Sequence, residues 1–250
     1  MIYSFACTRS KTLAKSAQKL DQYFALAKIK HHWLVGAESI FQAYQAAMFQ
    51  LLQAHQPLQP TDLIVFCHDD IEIWDDIQSF LEWLSVAAHP QVGFIGVAGT
   101  TVLGSDGVWW ESRRRKAGLH RGFVWQGSGR DNFQPNYFGP PGDVVVLDGC
   151  FLALSVATAS RINFAKPDYF KGDWDFYDLY YTMQTYQLNL RNIVVPIHIL
   201  HNSAGNLVGR TSWHQNREAF IAHHRLPAKT VAMDEGKRPF SKQAELKTPS

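Results

Sequence analysis

Residues 63–70 read Leu63-Ile64-Val65-Phe66-Cys67-His68-Asp69-Asp70. An unbroken apolar run with β-branched and aromatic members is the pattern of a strand covered on both faces, as in parallel sheets. The run ends abruptly in His68 and two carboxylates with no Lys or Arg beside them. In open α/β sheets, ligands gather beyond the carboxyl ends of strands. Adjacent carboxylates repel each other, and a hard, oxygen-preferring cation such as Mg²⁺ or Mn²⁺ relieves that repulsion. The plainer alternative is that one Asp caps the next helix while the other faces water.

Outward from this strand, the chain alternates. Upstream, Ile2 to Cys7 and His32 to Gly36 read as strands. Between and after them lie helical stretches, one carrying Leu13, Ala17, Leu20, Phe24 and Ala27, the other Ile40, Tyr44, Ala47 and Leu51. Both sets recur at steps of three and four. Pro57 and Pro60 break the second helix. Downstream, a helix over about Asp75 to Ala87 precedes another buried strand, Val92 to Val97. This β-α-β-α-β-α-β order predicts a mostly parallel central sheet flanked by helices, an α/β fold.

The rhythm then changes. Gly99 to Gly142 is rich in Gly, Trp, Arg, Asn and Pro and reads as a long functional loop. Regular structure resumes with Asp143 to Ser155, as two short strands or one bent at Asp148-Gly149. A helix over about Trp174 to Tyr186, a strand over Asn192 to Leu200 and a helix over about Trp213 to His224 follow. Pro196 puts that strand at an edge or an irregular position. A single domain is expected over residues 1–229, with a polar, poorly ordered tail over 230–250.

The bulk composition suits a globular enzyme. The chain has 250 residues, 46% of them hydrophobic, enough to bury a core without staples. A formal charge of +2 does not suggest a dedicated nucleic-acid or membrane-surface binder. The one dense basic run, Arg113 to Lys116, is either a solvated loop or a contact for phosphate or an acidic partner. Cys7, Cys67 and Cys150 are scattered in or beside apolar runs and make no CxxC pair, so they read as small reduced hydrophobes. The sequence shows no signal peptide and no transmembrane segment, and the expected location is cytoplasmic.

Three further groups carry possible chemistry. Asp173, Asp175 and Asp178 cluster at a helix start, where the dipole alone favours them; the functional alternative is a general base. His198 and His201 fall on opposite faces of a strand, so they are not expected to share a metal. Asp148 with Gly149 is a simple turn or a carboxylate facing a pocket, and Trp109 and Trp110 are core residues or a stacking platform for a sugar ring.

Taken in order, these stretches resemble a bacterial glycosyltransferase-like family that includes a streptomycin-biosynthesis protein and is related to the large inverting group with the GT-A fold. The matching stretches are Ile64 to Ile71, Val97 to Gly99 through Trp109-Trp110, Val145 to Gly149, Phe176 to Leu179, and His201 to Gly205. The resemblance spans roughly residues 1 to 206. It implies a GT-A-type nucleotide-diphospho-sugar transferase fold and a hexosyltransferase-like activity.

The resemblance also implies roles. Asp70 and His201 would contact Mn²⁺ or Mg²⁺, and Asp178 would be the catalytic carboxylate. Thr8, Arg9, Glu38 and Asp69 would serve the nucleoside-diphosphate sugar donor. Trp109, Trp110, Asp148, Gly149 and Asp175 would shape the pocket for the sugar and for a glycan or small-molecule acceptor. The chain departs from the family pattern at Gln45, at Tyr180 and in Thr8-Arg9-Ser10, which lacks an acidic nucleotide contact; Glu38 is expected to replace it. Alternatives are a metal-dependent phosphoester or diphosphate hydrolase using Asp70 and His201, and a catalytically weak GT-A-like protein that only binds nucleotide-sugars.

Overall fold

The structure, a computed structural model, describes residues 1–13, 16–53, 57–128, 131–203 and 211–230. The expected tail lies outside the described residues from position 231 onward, as do Ala204 and Gly205 of the last matching stretch.

The first half runs β1 (Ile2–Thr8), α1 (Ala17–Leu26), β2 (Lys30–Val35), α2 (Ile40–Leu52), β3 (Leu63–His68), β4 (Ile71–Ile73), α3 (Ile77–Ser85) and β5 (Val92–Gly96). Next come β6 (Ala98–Thr100), β7 (Val102–Leu103), α4 (Ser112–Lys116), β8 (His120–Gly127) and β9 (Phe133–Gly139). The remainder is β10 (Gly142–Val144), β11 (Val146–Leu147), β12 (Phe151–Ser155), α5 (Val156–Ala159), α6 (Tyr177–Gln187), β13 (Arg191–Val194), β14 (Ile199–His201), α7 (Thr211–His223) and β15 (Ala228–Lys229).

Seven strands form the main sheet in the order β10-β13-β5-β12-β3-β1-β2. The apolar run of β3 is buried from Leu63 to Cys67 and sits between β1 and β12, which explains why neither face carries a polar residue. Its side chains, such as Ile64 and Phe66, each contribute about 1.5–3 kcal/mol by leaving water. The parallel expectation holds for β2-β1-β3 and for β5-β13. β12 runs antiparallel to both β3 and β5, and β10 antiparallel to β13, so the sheet is mixed.

The helices follow their sequence signals with small shifts. Ser39 caps α2 by accepting from the Gln42 amide at 3.4 Å, and Asp76 caps α3 through the Ser79 amide at 2.9 Å. α1 begins only at Ala17, leaving Leu13 exposed rather than inward.

The expected loop over 99–142 instead contributes strands to a second sheet. β8 and β9 pair as an antiparallel hairpin within this sheet, of order β11-β6-β8-β14-β4. The glycines that suggested a loop mark close backbone approach: a Cβ on Gly122, at φ +110°, would collide with the Val97 carbonyl. The single strand expected over 192–200 is likewise two. Pro196 lies in the break between β13 in the main sheet and β14 in the second, because proline has no N–H to donate to a ladder.

The second sheet is built from continuations of the first. β3 passes into β4, β5 into β6, β10 into β11 and β13 into β14, each across a short break. The breaks define a seam, and His68-Asp69-Asp70 lies on it.

Candidate active site on the seam

A cleft of about 680 Å³ opens along this seam. Asp70 and His201, with Asp69, line it at the β3–β4 break and the end of β14. His198 is elsewhere, in the break before β14 and bonded to Asp75 at 2.8 Å. His68 joins Asp70 and His201 in one group whose ligand-type atoms all lie within 4.8 Å of one another. His68 Nδ1 is 3.2 Å from His201 Nε2 and 3.9 Å from Asp70 Oδ1, while His201 Nε2 is 3.3 Å from Asp70 Oδ1.

The electrostatics of the trio are mutual. Burial pulls the His201 imidazole down, but the adjacent Asp70 carboxylate outweighs it and the net shift is upward. His68 is lowered, by burial first and then by His201. Burial pushes the Asp70 carboxyl up, and the two imidazoles more than offset it, for a net lowering. Asp70 Oδ1 is nonetheless buried with no hydrogen-bond partner among the described residues; His201 Nε2 stands 3.3 Å from it as an ion-pair contact, and that attraction lowers the carboxyl. A buried, donorless carboxylate oxygen facing two imidazole nitrogens is chemically suited to a cation.

Asp178 stands in the first turn of α6, on the same cleft. Its Oδ2 accepts from the Gly149 amide at 3.0 Å and its Oδ1 from the Leu179 amide at 2.9 Å. Burial, reinforced by the neighbouring Asp148 carboxylate, pushes the Asp178 carboxyl up to about 7. Just before it, Phe176 adopts φ 68°, an αL conformation that costs a non-glycine residue about 1–2 kcal/mol. The ring is held against Trp213 and Phe220, each at 5.5 Å, and the tight turn delivers Tyr177 and Asp178 onto the cleft wall.

The other expected residues separate into four groups. Asp148, Gly149 and Asp175 line the cleft; Asp148 Oδ1 accepts from the Cys150 amide at 2.9 Å, and buried Asp175 accepts from the Ser212 hydroxyl at 2.8 Å. Thr8 and Arg9 line it at the end of β1, with the Arg9 guanidinium 4.5 Å from the Trp174 ring centre. Glu38 is not on the main cleft wall but on an adjoining depression shared with Arg9 and Trp174. Both tryptophans line the cleft: Trp109 is buried in its wall against His120 and Phe138, whereas Trp110 is 36% exposed at the rim.

Sequence reasoning missed His68 and Tyr177 as site residues. The signal for His68 was its place at the end of β3, directly before the Asp69-Asp70 turn that brings Asp70 back beside it. The basic run also divides. Arg114 is tied to Asp106 at 2.8 Å, while Arg115 lines the cleft and donates to Asn136 and to the Tyr137 carbonyl.

Residues 26–224 match the glycosyltransferase-like family. The chain belongs to that family. Its α/β architecture places the cleft at the carboxyl ends of β1 and β3. Among solved structures it is similar to the A197 protein from STIV, at 11% identity and a TM-score of 0.44, covering 78% of this chain and 81% of that one. It is also similar to GalNAc-T7, in a structure with UDP, GalNAc and Mn²⁺, at 12% identity and a TM-score of 0.49. That likeness covers 87% of this chain but 42% of GalNAc-T7. No curated protein matches. No helix among the described residues is long and apolar enough to cross a membrane.

Proposed function

We propose that the protein transfers a sugar from a nucleoside-diphosphate donor to an acceptor hydroxyl, with inversion, using Mn²⁺ held by Asp70, His201 and His68. The observation that carries the reading is the pairing, in one cleft, of the donorless Asp70 carboxylate between two imidazoles with a second carboxylate, Asp178, poised at about 7. A divalent cation bound by the trio would neutralise the charge that develops on the departing diphosphate. Two nitrogen donors and one oxygen favour Mn²⁺ over Mg²⁺, which prefers oxygen alone.

The remaining work falls to the chain's own residues. Asp178 is a base of suitable strength near neutral pH, and it removes the acceptor hydroxyl proton as the new bond forms. One carboxylate base acting directly on the acceptor, with no covalent intermediate, gives a single displacement and hence inversion. Thr8, Arg9 and Asp69, at the ends of β1 and β3, hold the nucleotide portion. Trp110 at the rim offers its ring face to the sugar or acceptor.

Chelation tests the cation directly. UDP and GDP are titrated calorimetrically into protein treated with EDTA, then with Mn²⁺ or Mg²⁺ restored. The expected result is a loss of nucleotide affinity exceeding roughly tenfold on chelation, recovered better by Mn²⁺ than by Mg²⁺. Equal affinity with and without chelator removes the cation from the reading.

A further inference from the structure

The Tyr177 hydroxyl has one proton and two close neighbours. The Gly149 carbonyl oxygen lies 2.9 Å away and His68 Nε2 also 2.9 Å away. A carbonyl oxygen can only accept, so the hydroxyl proton points to Gly149. The hydroxyl oxygen then has only lone pairs to offer His68, and Nε2 must be the ring nitrogen that carries hydrogen. A neutral imidazole protonated at Nε2 presents a lone pair at Nδ1, the atom that faces His201 and Asp70.

We propose that Tyr177 is a positioning residue: it locks His68 in the Nε2–H tautomer, so that Nδ1 serves as the third cation donor beside Asp70 and His201. The lock extends further through Gly149. The amide of that residue donates to Asp178 Oδ2 at 3.0 Å while its carbonyl receives the Tyr177 proton. Tyr177 and Asp178 are neighbours at the start of α6. One glycine backbone therefore sets both the tautomer at the cation group and the placement of the base carboxylate. Partners of this kind, one bond beyond a ligating imidazole, fix ring orientation and commonly change metal affinity 10–100-fold.

The inference rests on the cation reading above, and its test is chosen to fail separately. Imidazole ¹H–¹⁵N correlation spectra of the metal-free parent report the tautomer without any cation or substrate. The expected pattern for His68 is a protonated Nε2 and a bare Nδ1; in Tyr177→Phe the two tautomers mix. Mn²⁺ affinity, read from the free-ion paramagnetic resonance signal, is expected to fall roughly 10–100-fold in Tyr177→Phe. Tyr44→Phe is the control for a lost buried hydroxyl, since Tyr44 donates to the Cys67 carbonyl at 3.5 Å. It should bind Mn²⁺ as the parent does. An Nδ1–H tautomer in the parent overturns the proposal even if Tyr177→Phe does not fold, and so does parent-like Mn²⁺ affinity in a folded Tyr177→Phe. A parent that shows the Nε2–H tautomer but binds no Mn²⁺ overturns the cation reading and the ligand role of His68 with it, leaving only the tautomer lock.

Discussion

Replacing Asp178 by asparagine is expected to lower turnover roughly 10²–10⁴-fold, the usual contribution of a positioned general base. Donor affinity should change little, because the base faces the acceptor and not the diphosphate. The same change is expected to leave the protein at least as stable as its parent above neutral pH. The folded-state pKa of Asp178 is raised from 3.8 to about 7, so between those values the folded protein binds the proton more tightly than the unfolded chain. Stability from this group therefore declines as pH rises through that window, and the amide, which never ionises, escapes the decline. Activity has the opposite dependence: the acid limb of kcat/KM should fall near about 7 in the parent, with activity present above it and lost below. Steady-state rates across pH, with calorimetric melts at about pH 5 and about pH 8, check both halves. Asp173→Asn is the comparison, since Asp173 is a partly exposed partner of Lys166 at 2.9 Å, a pair of small worth. Parent-like turnover in Asp178→Asn, or a larger loss in Asp173→Asn, would remove Asp178 from its role.

The second large effect is expected at a residue with no side chain. A Cβ on Gly149 would fall on the Tyr177 hydroxyl and stand 3.0 Å from the Asp178 Cβ. Neither neighbour yields easily: the Tyr177 hydroxyl ends a rigid, buried ring held by two hydrogen bonds, and the Asp178 Cβ is fixed to the first turn of α6. Gly149→Ala should therefore cost about 1–3 kcal/mol of stability by overpacking. It should also displace the His68 tautomer lock and the base together, so that Mn²⁺-dependent nucleotide binding and turnover both drop by more than roughly tenfold. Gly118→Ala gives the contrast. That glycine sits at φ +69° with nothing near its missing Cβ, so the substitution brings backbone strain of about 1–2 kcal/mol and no change at the cleft. Melting curves and nucleotide titrations of the two variants separate them: equal losses of nucleotide binding would mean that Gly149 acts through stability alone.

The main sheet was legible because β1, β3 and β5 are buried apolar runs between helices, and local periodicity records that arrangement directly. The second sheet was not. Its strands β4, β6 and β11 are two or three residues long, too short for any period to register. β8 and β9 carry Gly, Trp, Arg and Asn because their backbones crowd others and their faces differ, a composition shared with loops. At the cleft, the carboxylates could be read from order and flanking apolar runs, and Asp70, Asp148 and Asp178 do converge. What could not be read was the hydrogen bonding. That Tyr177 reaches back over 109 positions to His68 is a property of the packed chain, invisible to spacing. Trp109 and Trp110 both reach the cleft, but adjacency in sequence did not show that one is buried in its wall and the other exposed at its rim.

The four crossings from one sheet to the other bear on motion. Where two lobes are joined by a single linker, a cleft opens by swinging one lobe away. Here β3, β5, β10 and β13 each run on into the opposite sheet, and backbone bonds such as His68 amide to Cys150 carbonyl at 3.1 Å and Val145 amide to Thr100 carbonyl at 2.7 Å stitch the breaks. Such a floor cannot gape without unravelling several strands at once. Its amides should exchange with solvent as one slow cooperative group. Whatever entry a bulky substrate requires must then come from the cleft's rim, so turnover and global unfolding are free to respond to different parts of the chain.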